Sequence, residues 1–429
     1  MLARILLGIL YTATGLAIIG TIVLHNYARI TCHWNWDSKE SFMRMVVFAD
    51  PQMEGDAKIR RLGKREFDVR VARYRSIFPD PSLSSSGSVA RTVGAGEEST
   101  VPVMINITGN HDIGYGYDIS QDRVERWEQV FGKSNFISSV DIPTSGVVGS
   151  ENDTDSRRSQ SSRRLHLVVL NTMLLDGPSS DENLRGQTWQ FLQEASSLKE
   201  NNPQDKIVLL THIPFHKEQG ICVDPPDIRV HWDNTIIEQT MLTPNTTQWI
   251  LNTLRPDFVL NGHDHYGCDV VHTLHHDQDT WIASATDLSL PVSGSSQAEQ
   301  QQQEEVKEQR QQTRRVREVT QRSMMAEFGG YSGLFEIKIP STSSSSSFDN
   351  SNNSNNNNNM SEDELEFHYT ACGFFNDVQV WVVIITDLVV AILWALFGLL
   401  RLITSSLASS GRARKKTHVS LSSEKQKLL

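Results

Sequence analysis

The sequence predicts an α/β domain held between two membrane-spanning helices, one at each end of the chain. Three observations predict it. Short apolar runs alternate with segments whose apolar residues recur at helical spacing. Two long stretches, 2–24 and 378–400, are apolar almost throughout. Polar side chains able to donate a lone pair stand at the ends of several of the short runs.

Residues 2–24, "LARILLGILYTATGLAIIGTIVL", carry a single charge, Arg4. Roughly 20 apolar residues cross a bilayer as a helix. A cleaved signal peptide has a shorter apolar core, about 7–15 residues, ending in small residues. This stretch is longer and continues into "HNYARITCHW", which favours an uncleaved anchor over 1–24 and a lumenal linker over 25–43. Then come "RMVVFAD" (44–50), "VPVMINITGNHD" (101–112) and "LHLVVLNT" (165–172), each a short buried strand. "GQTWQFLQEASSLKE" (186–200) places Trp189, Phe191, Leu192, Ala195 and Leu198 mostly at helical spacing. "KIVLLTH" (206–212) is a strand and "NTTQWILNTLR" (245–255) a helix with a capping Asn or Thr. "PDFVLNGHDH", "TWIASATD" and "YSGLFEIKI" (331–339) complete the set. Such alternation implies mostly parallel pairing. The domain is expected over 44–340, with disordered or solvated insertions at about 146–164 and 295–322, the latter rich in Gln and charge. A Ser- and Asn-rich tether covers 341–377, the second span 378–402 and a polar tail 403–429. Asp387 lies inside the second span, either as a functional acid or as one that faces water or pairs with a neighbouring helix.

Flanking charge sets orientation. "MSEDELEFHYTACGFFND" precedes the second span, while Arg401, Arg412, Arg414, Lys415 and Lys416 follow it. Both termini are therefore expected in the cytosol and residues 25–377 in the lumen. Glycosylation sequons at Asn152, Asn245, Asn352 and Asn359 agree with this. A net charge of −11 argues against a nucleic-acid partner. Four cysteines permit at most two disulfides and lack zinc-site spacing.

Asp50, Asn110-His111, His212 and His263/His265 all end apolar runs. In an open α/β sheet, ligands gather at the carboxyl ends of the strands. A lone histidine there is commonly a hydrogen-bonded structural residue; so many donors sharing one placement are hard to explain by packing. An extended chain would also put His263 and His265 on one side.

The series "FADPQ", "GNHD", "THIPFH" and "GHDH", in this order, resembles the calcineurin-like metallophosphoesterases. The resemblance implies a β-sandwich flanked by helices and a site with two divalent metals, Mn2+ foremost. It implies Asp50 and His265 on one metal, Asn110, His212 and His263 on the other, and His111 beside the leaving-group oxygen. Such mixed donors suit borderline cations. The two-span layout, "FADPQMEGD" and the C-terminal "KQKLL" are similar to fungal members of the group that remove an ethanolamine-phosphate branch from GPI-anchor glycans. That likeness implies a lipid-linked glycan substrate, residence in the endoplasmic reticulum membrane and retrieval by COPI-type machinery through the terminal lysines.

The chain departs from the family pattern twice. Gln52 stands where the family has a metal-binding histidine, and its amide oxygen is a weaker ligand. No apolar strand ending in Gly-Asp precedes "GNHD", so the aspartate that bridges the two metals has no obvious counterpart. Asp56, Asp68 and Asp80 are poor substitutes by context, and a segment omitted around Lys64–Phe67 would remove strand and acid together. With less negative charge between them two cations repel more strongly. The alternatives are thus a one-metal or catalytically impaired form, acting as a membrane-bound interaction or manganese-homeostasis protein.

Overall fold

The computed structural model describes residues 2–32, 41–50, 64–77, 104–142, 163–275, 280–286, 314–339, 365–374 and 377–425. They divide into two compact units, Met1–His33 with Gly373–Leu429, and Trp34–Cys372.

The first unit is a helical pair. Helix α1 spans Leu2–Thr31 and the C-terminal helix Asp377–Lys425, so helix continues well into the expected tail. Both contain stretches long and apolar enough to cross a membrane, Arg4–Tyr27 and Val378–Leu407. Their polar side chains answer one another. The Trp394 indole N–H donates to Thr14 Oγ1 at 2.9 Å, and the Thr21 hydroxyl donates to Asp387 Oδ2 at 3.3 Å. Asp387 is therefore a helix-paired acid, the second of the two readings left open by the sequence. Polar groups with no water nearby seek such partners across helices.

The second unit is a sandwich. Its elements in chain order are β1 (Ser41–Val47), α2 (Lys64–Ile77), α3 (Asn110–Ile113), α4 (Gln121–Phe131), β2 (Phe136–Asp141), β3 (Arg164–Val169), α5 (Glu182–Asn201) and β4 (Lys206–Leu210). There follow β5 (Ile228–Val230), β6 (Ile236–Gln239), α6 (Pro244–Thr253), β7 (Phe258–Asn261), β8 (Cys268–His275), β9 (Thr280–Ala285), β10 (Arg315–Thr320), β11 (Tyr331–Lys338) and β12 (Glu366–Gly373). The large sheet runs β2-β3-β4-β7-β10-β8-β9 and the small one β1-β11-β12. The pairs β3–β4, β4–β7 and β7–β10 are parallel; β2–β3, β10–β8 and β8–β9 are antiparallel. The expected parallel pairing thus holds only at the centre of the sheet.

Side-chain alternation builds both layers. On β3, β4 and β7, Leu165, Leu167, Val208, Leu210, Phe258 and Leu260 face the small sheet, where Phe335 and Ile337 of β11 meet them. Val168, Ile207, Leu209 and Val259 face the helices and pack with Leu192 and Ala195 of α5 and Ile250 and Leu251 of α6. Strands buried on both faces read as unbroken apolar runs, which is why the sequence reveals them. Helix α5 begins where Asp181 accepts the Leu184 N–H, and α6 where Thr243 accepts that of Thr246 with Pro244 in its first turn.

Four expectations are corrected. Within 101–112, residues 104–109 join no ladder among the described residues and 110–113 form a helical turn; Ile105 and Ile107 still pack against the inter-sheet core. The segment 295–322 is not wholly a solvated insertion, because β10 lies inside the large sheet; 295–313 fall outside the described residues. The tether 341–377 contains β12, paired to β11, so the fold does not close at 339. The linker 25–43 is helix to Thr31 and strand from Ser41 in its described part.

Candidate metal centre

Four loops meet at the carboxyl ends of the parallel strands. Beyond β4 and β7 the chains stay in register: Thr211 N–H donates to Leu260 C=O at 3.0 Å and Gly262 N–H to His212 C=O at 3.2 Å. This brings His212 beside His263, with ring centroids 5.0 Å apart. Asp50 arrives from the small sheet, guided by a bridge between Ala49 and Ser323. Its carboxylate Oδ2 accepts the His263 backbone N–H at 3.0 Å, and Oδ1 lies 4.0 Å from His212 Nε2. Asn110 opens α3 and its Oδ1 lies 2.8 Å from His212 Nε2.

The backbone is strained where these donors sit. Asp50 has φ +50° and His263 φ +76°, two of the four non-glycine residues with positive φ among the described residues. Such conformations collect at functional sites. His263 therefore does not continue β7, and the alternation argument for placing it with His265 fails; a turn presents them instead. Close approach also dictates two glycines. A Cβ on Gly109 would stand 3.0 Å from the His212 ring, and one on Gly262 would stand 3.1 Å from Ala49 Cβ and 3.3 Å from Asp50 Oδ2.

Burial, together with repulsion from His111 and His265, lowers His212 to about 3. Burial and His212 likewise lower His263 to about 3, against the pull of Asp50. Both imidazoles are neutral at pH 7, the form that binds metals. His263 Nε2 faces the Gln239 carbonyl oxygen at 2.8 Å, so that nitrogen carries the proton and Nδ1 the lone pair. Tyr115 Oη lies 3.4 Å from the same nitrogen. The His265 ring lies against Phe328 in a tilted contact, centroids 4.5 Å apart, and its carbonyl accepts the Ser323 N–H. Asp112 accepts the Gly109 N–H at 2.8 Å and fixes the turn that presents Asn110 and His111.

Asp50, Asn110, His212 and His263 thus converge, while His111 follows Asn110 on α3 and His265 lies two residues beyond His263. One carboxylate, one amide oxygen and neutral imidazoles fit a borderline divalent cation. Among the described residues no three His, Cys, Asp or Glu side chains form a ready-made metal group. Gln52, Asp56 and Asp80 lie outside the described residues, and Asp68 is exposed on α2. Sequence reasoning missed Gln239, Tyr115 and Phe328, which hold rings from distant segments. It could have found Gly109 and Gly262, which immediately precede ligand candidates.

Residues 84–267 match the calcineurin-like phosphoesterase family, a span that holds Asn110, His111, His212, His263 and His265 and begins after Asp50. That stretch of the chain is similar to a calcineurin-like phosphoesterase domain. It is 31% identical over 245 residues to Protein TED1 of Saccharomyces cerevisiae, covering 54% of this chain and 42% of that relative. It is 27% identical over 291 residues to Metallophosphoesterase 1 of Mus musculus, covering 56% and 66%. The chain thus spans under two thirds of the length of either relative.

Proposed function

We propose that this protein is a metal-dependent phosphoric-ester hydrolase, a phosphodiesterase that removes an ethanolamine-phosphate branch from GPI-anchor glycans in the lumen of the endoplasmic reticulum. The observation that carries the hydrolase reading is the convergence of Asp50, Asn110, His212 and His263 at the carboxyl ends of the central strands, the last three within the stretch that matches the calcineurin-like phosphoesterase family. Asp50, Asn110, His212, His263 and His265 would hold two divalent cations, Mn2+ in this reading, or one if no carboxylate bridges them. Bound cations would supply positive charge that acidifies water and draws the phosphate oxygens. The protein's own part is to keep the imidazoles neutral and aimed. Gln239 C=O and Tyr115 hold the His263 ring, and Asp50 fixes its backbone. His111, the residue after Asn110 on α3, would give a proton to the departing alkoxide in this reading.

The substrate and compartment rest on the sequence resemblance, supported by two observations. The chain has two apolar helices, with the basic cluster after the second. Cys222 and Cys268 form a disulfide, and such bonds persist in oxidising compartments. Partners in this reading are a lipid-linked glycan, the membrane itself and COPI-type machinery on the cytosolic lysines.

The full chain in detergent, given Mn2+ and bis-p-nitrophenyl phosphate, tests the chemistry. Metal-dependent release of nitrophenol is expected, falling at least about a hundredfold in His263→Ala, the upper range for changes at groups supporting a ligand. A second reading, a metallophosphoesterase fold without efficient turnover that serves interaction or manganese homeostasis, is favoured by the exposure of Asp68. Tight Mn2+ binding without turnover would select it.

A further inference from the structure

Glu318 lies on β10, within the charged segment "RRVREVT", yet it is fully buried. Its carboxylate meets four donors. Oε1 accepts the Phe215 N–H at 2.8 Å and the Asn261 side-chain amide at 2.7 Å. Oε2 faces Lys217 Nζ at 2.9 Å and His272 Nε2 at 2.6 Å. Lys217 and His272 are themselves 1% exposed, and Lys217 Nζ also donates to Phe215 C=O at 2.9 Å. Burial alone would push the Glu318 acid up; Lys217 and His272 override it and hold the group near 2, so it is ionised.

A buried ion cluster is a poor route to stability, because desolvation offsets the attraction and apolar replacements often do as well. The placement of the four donors suggests another role. Phe215 is three residues beyond His212, and Asn261 two before His263. Oε1 therefore joins the loop after β4 to the turn after β7, the two segments that bring His212 and His263 together. Lys217 clamps the same loop through Phe215 C=O, and His272 approaches from β8, whose register places Val270 opposite Glu318.

We propose that Glu318 is the positioning residue of the candidate metal centre, its carboxylate setting the separation of the loops that carry His212 and His263. The inference rests on the phosphoesterase reading of that centre for its functional consequence. It concerns this chain's own residues, so part of its test needs no metal.

The test uses the full chain in detergent with Glu318→Gln and, separately, Lys217→Met together with Glu318→Gln, which leaves no unpaired lysine charge should the single variant fail to fold. Hydrogen exchange is followed over 211–217 and 260–266, with 164–169 of β3 as reference, and Mn2+ affinity by calorimetry. Exchange in both loop segments is expected to quicken at least tenfold relative to β3, and Mn2+ affinity to fall at least tenfold. Wild-type exchange in both loops of a folded variant overturns the proposal, as does an equal rise in β3, or faster loop exchange with Mn2+ affinity unchanged. A wild-type chain that neither binds Mn2+ nor releases nitrophenol refutes the phosphoesterase reading instead, and the exchange comparison alone then decides this one.

Discussion

Replacing Cys222 and Cys268 together by serine removes a bond whose effect can be worked from the chain. The two cysteines are 46 residues apart in sequence. Closing a loop of that length removes about 13–14 cal/mol/K of entropy from the unfolded chain, or about 4 kcal/mol at 25 °C. The bond also has a local consequence. Cys222 lies ten residues beyond His212 and Cys268 three beyond His265, so the cross-link ties together the same two ligand-bearing regions as Glu318. Urea unfolding of the full chain in detergent, followed by fluorescence of its nine tryptophans, reads the global effect. With a denaturant slope of about 3 kcal/mol per molar, the midpoint should fall by more than about 1 M. Mn2+ affinity, measured below the transition, should fall as well. A midpoint shift under about 0.3 M would refute the loop-entropy reasoning, and an unchanged affinity would show that the cross-link does not organise the site.

Gly262→Ala should weaken Mn2+ binding measured by calorimetry and cost about 1–3 kcal/mol in urea unfolding, since the new methyl meets Ala49 and the Asp50 carboxylate at 3.1 and 3.3 Å; wild-type affinity would contradict it. Glu318 has a carboxyl depressed from 4.5 to about 2, so the stability it contributes is present above about pH 4.5 and is lost as pH falls toward 2; the shift corresponds to about 3 kcal/mol. Melting temperature against pH should therefore show a shallower acid limb in Glu318→Gln than in wild type, and parallel limbs would contradict the assignment. Asn245 is exposed in the first turn of α6, so in a lumenal domain it should carry a glycan; loss of an enzyme-sensitive mobility shift in Asn245→Gln checks this, and an unglycosylated Asn245 would count against the proposed orientation.

The strands legible in the sequence are those buried on both faces. "LHLVV", "KIVLL" and "DFVLN" are mostly apolar because β3, β4 and β7 are buried on both faces, and "MRMVV" reads likewise although β1 packs only against the inter-sheet core. Strand β10 hides because its charges are satisfied from elsewhere. Arg317 lays its guanidinium on Asp269 of β8, with contacts of 3.0 and 2.6 Å, and Glu318 takes Lys217 and His272. Read alone, "RVREVT" looks solvated; its partners lie 46 to 101 positions away. Strand β12 hides for a compositional reason, following a Ser- and Asn-rich tract that ends the apparent domain.

At the site, the donors were legible and their geometry was not. Strand ends give Asp50, Asn110, His212, His263 and His265, but a straight strand would never bring the Asp50 carboxylate against the His263 backbone. Both residues adopt left-handed φ, each costing on the order of 1–3 kcal/mol, and the bond between Asp50 Oδ2 and the His263 N–H joins the two strained positions directly. Neither conformation is stable on local grounds, so each must be imposed by the surrounding fold. Asp50 is fixed by the Ala49–Ser323 bridge, and His263 by Gln239 and by Gly262, which permits the approach. A site assembled in this way depends on segments from residue 49 to residue 323. Gln239 and Ser323 act here through main-chain atoms, so the ligand set depends on where the surrounding fold holds their backbone rather than on which side chains they carry.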